Sequence, residues 1–171
     1  MSITPNTSHN ALPTLGLGAV WQDLTVGQRF RTFRRTITET DLVNFISVTG
    51  MLEAIFIDAT FEGGALTGRP VPGALTYTLI EGFILQTLIQ GTGLALLEME
   101  QKIHAPVRVG DSIWATVEIS AIRPTSKEGR AVVSSDVDVF NQNDVKVMTY
   151  SAKRLLAGAP PSLAGLGGSD R

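Results

Sequence analysis

The sequence predicts an α+β domain in which a curved antiparallel sheet wraps one long helix. Three observations predict it. A strand-like segment and a short capped helix come first, a long apolar segment with helical spacing lies in the middle, and everything after it reads as strands joined by short polar turns. With 171 residues, 43% of them hydrophobic, the chain suits one domain around one continuous core.

The first element is expected over residues 28–37 (QRFRTFRRTI), where Phe, Thr and Ile favour a strand and four arginines mark a solvated face, as on an edge strand. Thr38-Glu39-Thr40-Asp41 then opens a helix with acidic groups in its first turn. Leu42, Phe45, Ile46 and Thr49 continue it at helical spacing, and Gly50 stops it. A further short helical turn is expected from Asp58, which would act as its N-cap.

The long helix is expected over 73–90, where Leu75, Leu79, Ile80, Phe83, Ile84 and Leu88 cover most faces, so other structure must wrap it. The four strands follow at 94–104, 112–122, 131–140 and 145–155. In the second of them Ile113, Ala115, Val117, Ile119 and Ala121 alternate with polar neighbours and are expected on one buried face. The connections are short enough for an antiparallel meander.

Residues 1–20 are polar and turn-rich, and 157–171 form an Ala/Gly/Pro/Ser tail. Both ends are expected to be disordered around a domain spanning 21–156. The 14 basic and 16 acidic residues give a net charge of −2 with no Lys/Arg run, which argues against a nucleic-acid partner. A charged fraction of 18% lies below the roughly 25% of ordinary soluble domains, so extra surface is expected to be hidden in a homo-oligomer. The absence of cysteine excludes disulfides, thiolate metal sites and a Cys nucleophile, and no metal is expected.

Residues 71–97 carry one charge, Glu81, over a length that would span a bilayer. Pro72, Gln86, Gln90, Gly91 and Gly93 interrupt them without a flanking basic cluster, so a buried helix rather than a membrane contact is expected. No Lys or Arg precedes Arg29, as a secretory signal would require, and a cytoplasmic location follows as the expectation.

Five segments resemble the MaoC-like dehydratases and (R)-specific enoyl-CoA hydratases: DLTVGQRF (23–30), RTITETDLVNF (35–45), VTG (48–50), VPGAL (71–75) and APVRVGDSI (105–113). The resemblance implies a hotdog fold, a homodimer with the thioester bound at the subunit interface, and an acyl chain running beside the long helix. That family's catalytic segment reads Gly-Asp-x-Asn-Pro-(aliphatic)-His-x-Asp, and its Asp and His activate the water that adds to the double bond. The corresponding stretch here begins at Gly50. Met51 stands at the Asp, Glu53 at the Asn, Ala54 at the Pro and Phe56 at the His, while Asp58 matches the last Asp. The fold is therefore expected without the family's acid/base pair.

Hydration of a 2-enoyl thioester needs a base for water, a proton for Cα and donors for the enolate-like oxygen. Glu53 is the ionisable group inside the motif, and a glutamate in an apolar pocket can accept and donate the proton, so Glu53 is the catalytic candidate. The alternative for Glu53 is a purely structural role, bonding loop amides. Asp41 and Asp58 read as caps. His9 lies in the lead and His104 at a strand end, so neither is expected to replace the missing imidazole.

Gly73 opens the long helix, where a backbone N–H backed by the helix dipole can hold a thioester oxygen. By resemblance this is the family's oxyanion site. Met51 and Phe56 would line an acyl channel, and Arg69 is the candidate contact for a CoA phosphate. The expected activity is hydration or dehydration of an acyl-CoA or enoyl-CoA, with the thioester as substrate and no separate cofactor. The alternatives are a non-catalytic acyl-CoA-binding protein, a silent subunit beside an active MaoC-like chain, and a thioesterase.

Overall fold

The computed structural model describes residues 15–66, 68–127 and 129–159. The expected lead before residue 15 and tail after residue 159 lie outside the described residues. Where the lead is described, the chain is already engaged ahead of residue 21. Gly18 N–H and Ala19 N–H donate to the carbonyls of Gln90 and Leu88 at 2.7 and 2.8 Å. A Cβ at Gly18 would lie 2.4 Å from Gln90 N, so only glycine admits this approach.

The expected strand over 28–37 is two short strands, β1 (Arg29–Arg31) and β2 (Arg35–Thr36), both antiparallel to β4. The interruption has a local cause, because Thr32 turns back on β4. Its Oγ1 accepts from Ala115 N–H at 2.8 Å while its own N–H donates to Ala115 O at 2.9 Å.

Helix α1 (Glu39–Thr49) begins with the capping box read from the sequence: Thr38 Oγ1 accepts from Asp41 N–H, and Asp41 Oδ2 accepts from Thr38 N–H at 2.9 Å. That backbone bond is the largest influence holding the Asp41 carboxyl below its ordinary value; the Thr38 hydroxyl and Arg35 add to it. Gly50 ends the helix in the left-handed conformation, φ 72°. Leu42 and Ile46 are the buried positions of α1.

After the single turn α2 (Ala54–Ile57) comes α3 (Gly73–Thr87), which ends three residues before the expected position. Leu75, Thr76, Ile80, Glu81 and Ile84 are buried, whereas Thr78 and Leu85 are exposed, so one chain covers the helix only in part. It meets the sheet formed by β3 (Gly93–Ile103), β4 (Ser112–Pro124), β5 (Arg130–Phe140) and β6 (Lys146–Ala157). The strand order is β1-β4-β5-β6-β3, antiparallel throughout.

In β4, Ile113, Ala115, Val117 and Ile119 are buried as expected, but Ala121 is exposed. A register shift between Ile119 and Ala121 moves the inward position to Ile122, because the inserted residue inverts the period-2 alternation. The core lies between α1, α3 and the inner faces of β4 to β6. No helix among the described residues is long and apolar enough to cross a membrane.

Candidate active site

At the N-terminus of α3 the chain forms a cavity of about 350 Å³. The helix starts after Pro72, an N-cap with no side-chain hydrogen bond. The first amides of a helix have no partner within it, so Gly73 N–H is a donor supported by the helix dipole. Gly73 lines the cavity. Val71 N–H donates to Val107 O at 2.8 Å, and Pro70 bridges Arg108, which fixes the helix start against the chain that follows β3.

Thr76, one turn further on, lines the same cavity. Its residue is 2% exposed, and its hydroxyl is sealed in the packing without a hydrogen-bond partner. Sequence reading missed it because nothing in the spacing distinguishes it from a core threonine.

Phe56 on α2 lines the cavity. Met51 is half-buried against the core and lies outside the lining set. Glu53 occupies the N-cap position of α2, where its carbonyl accepts from Phe56 N–H at 2.8 Å and its side chain caps nothing. Glu53 is exposed and does not line the cavity, so the apolar surroundings its catalytic role requires are missing at its position.

The helical turn expected from Asp58 is instead α2, and Asp58 ends it, donating its N–H to Ala54 O at 2.9 Å. The Asp58 carboxylate turns to Thr60, accepting from its hydroxyl at 2.7 Å and its N–H at 2.8 Å. These bonds, the hydroxyl first, hold the carboxyl below its ordinary value. Local bonding of this kind competes with helix continuation. The Arg69 guanidinium pairs with Glu39 of α1 and donates to Phe56 O at 3.5 Å, so it ties the cavity's wall to α1.

His104 adjoins the cavity as a strand-end residue, and its exposed imidazole bonds Thr149, which pairs with Lys102 on the sheet face opposite the Ile103–Met148 pair that meets Gly73. It reaches this place because the chain leaving β3 stays bound to β6: His104 N–H donates to Val147 O at 2.9 Å, and its Nε2 lies 2.9 Å from Thr149 Oγ1. Among the described residues no group of His, Asp or Glu could hold a metal ion.

The comparisons with known proteins agree with this architecture. Residues 24–150 match the family model of the FAS1-like dehydratase domain region. No curated protein matches. Among solved structures, a MaoC-like dehydratase from Rhodospirillum rubrum is 22% identical with a TM-score of 0.73, covering 84% of this chain and 99% of its own. An (R)-hydratase from Pseudomonas aeruginosa is 26% identical with a TM-score of 0.68, covering 82% and 86%. A conserved hypothetical protein of Mycobacterium tuberculosis with a double hotdog fold is 19% identical with a TM-score of 0.71, covering 90% of this chain and 48% of its own. With the matched family region reaching from ahead of β1 into β6, the chain belongs to the FAS1-like dehydratase-domain family and has the hotdog fold.

Proposed function

We propose that the chain binds an acyl or enoyl thioester in the cavity at the start of α3 and catalyses its hydration or dehydration, with the thioester oxygen on Gly73 N–H. The observation that carries this reading is the uncapped helix start opening on an apolar cavity of about 350 Å³, within the size range of small-molecule sites. Phe56 contributes apolar lining, and Arg69 holds the wall that carries it. The relatives' printed activities, dehydratase and (R)-hydratase, support the reaction class.

Glu53 is the motif's own acid/base candidate, but its exposure and its place outside the lining weigh against that role, and its side chain caps nothing at α2. The same geometry favours a second reading, an acyl-CoA-binding chain that is silent or works beside an active partner. Hydration, dehydration and CoA release measured over a panel of acyl-CoA and enoyl-CoA esters separate these readings. Turnover of enoyl-CoA to the 3-hydroxyacyl ester supports the first. Saturable binding without turnover supports the second, and CoA release indicates a thioesterase. Glu53→Gln should leave turnover within a few-fold; a loss of roughly 10² or more would restore Glu53 as the acid/base.

The proposed assembly is a homodimer. Every residue of the edge strand β3 is exposed, with Leu94, Leu96 and Leu97 each about half open, and a second copy of the same strand is the occupant that would cover them.

A further inference from the structure

We propose that the edge-to-face pair of Tyr77 and Tyr150 is a partition that sets how long an acyl chain the α3 cavity accepts. The inference rests on the thioester reading above and deepens it by naming the substrate class, short-chain acyl and enoyl thioesters. On α3, Gly73, Tyr77 and Glu81 recur every four residues and share one stripe, while on β6 Met148, Tyr150 and Arg154 are buried on one face. The two stripes meet rung by rung. A Cβ at Gly73 would lie 3.8 Å from Met148 Cε, and the Tyr77 and Tyr150 rings are 5.2 Å apart at 79°. The Tyr150 hydroxyl then donates to Glu81, which pairs with Arg154.

These rungs divide the space beside the helix. Gly73 and Met148 line the first cavity. A second, of about 440 Å³, begins at Tyr77 and is walled by Leu85 of α3 and by Leu94 and Leu96 of β3. Among the described residues none lines both. Glu81 and Arg154 border the second cavity, but they are bonded to each other, to Tyr150 and to Ser135, so the wall left for a ligand is apolar. Tyr150 is 3% exposed and tied through its hydroxyl, which fixes the ring that the half-buried Tyr77 leans on. An acyl chain running beside the helix from Gly73 N–H meets the rings after four residues, about 6 Å along the axis, which is room for a butanoyl-length chain. With Tyr77 truncated, the same path continues into the second cavity, where a longer chain exchanges water for leucine side chains.

Calorimetric titration of the intact protein reads the partition whether or not the chain turns substrate over. Wild-type protein should bind butanoyl-CoA more tightly than decanoyl-CoA, by about tenfold or more. Tyr77→Ala should tighten decanoyl-CoA by about tenfold and leave butanoyl-CoA within a few-fold. Tyr77→Leu, which keeps an apolar side chain against Tyr150 and so guards the fold, should do the same to a smaller extent. Adding Leu85→Trp to Tyr77→Ala refills the second cavity and should cancel the gain. Decanoyl-CoA bound by wild-type protein as tightly as butanoyl-CoA, a ratio unmoved in both Tyr77 variants, or a gain that Leu85→Trp leaves intact would overturn the partition and leave the thioester reading standing. If wild-type protein binds neither ester, the thioester reading fails and the partition falls with it.

Discussion

Glu81 on α3 and Arg154 on β6 form an ion pair inside the molecule, with side chains 10% and 7% exposed. The carboxylate also accepts a 2.7 Å hydrogen bond from the Tyr150 hydroxyl, and the guanidinium donates to Ser135 Oγ at 2.7 Å. The single charge of the long apolar segment is thus not a surface group. It ties the central helix to two strands, with both charges supplied with partners, as burial requires.

Removing one partner leaves the other charge buried and uncompensated. Arg154→Met or Glu81→Leu alone should destabilise the fold by about 3 to 5 kcal/mol, and the double variant should recover much of that loss. Urea unfolding of the three variants measures it. Single variants within about 1 kcal/mol of wild type, on the scale of a surface ion pair, would contradict it.

The chain's two tyrosines, Tyr77 and Tyr150, pack edge to face at 5.2 Å, and burial raises both phenols above their ordinary value, with the charge on Glu81 adding to it. A phenol whose folded value is raised contributes stability that is complete below the unfolded value of 10.0 and is lost as pH climbs through the folded value. Native protein should therefore show little tyrosinate absorbance at pH 10, and the signal should rise together with unfolding. Full tyrosinate formation near pH 10 with an unchanged circular dichroism spectrum would contradict this.

Gly18 packs against the backbone at Gln90 without room for a methyl group. Gly18→Ala should cost about 1 to 3 kcal/mol through the shift it forces on the chain just after α3. An unchanged denaturation midpoint would show that this segment does not pack on the chain after α3.

Much of this was legible in the residues. Thr38, Asp41 and Gly50 specify α1 by local chemistry alone, and the alternation from Ile113 to Ile119 is a direct consequence of strand geometry. What was not legible depends on contacts distant in sequence. The pairing of Glu81 with Arg154 joins positions 73 apart, so no local pattern announces it. Ile103 meets Gly73 because the pairing of β3 with β6 carries the strand end to the start of α3, which no local pattern contains. Glu53 looked catalytic because the motif places it centrally, while its carboxylate is exposed. The interruption at Thr32 and the bulge near Ser120 come from bonds to a neighbouring strand, which periodicity cannot contain.

The exposed leucines of β3 should be covered in solution by a second copy. Light scattering should give a dimer, and Leu96→Lys with Leu97→Glu should shift it toward monomer, because charges on an edge strand oppose pairing. A wild-type monomer at micromolar concentration would contradict the assembly.

If Gly73 N–H holds the thioester oxygen, removing that one donor removes the turnover it supports. Proline is tolerated at the first position of a helix, and the preceding residue, Pro72, already has the extended ψ of 137° that a following proline requires. Its ring would meet Ile103 Cδ1, so the comparison is Gly73→Pro with Ile103→Ala against Ile103→Ala alone. Hydration of 2-butenoyl-CoA should fall by about 10² to 10³ on adding Gly73→Pro, with the melting temperature little changed. Turnover within a few-fold of the Ile103→Ala control would contradict the oxyanion assignment.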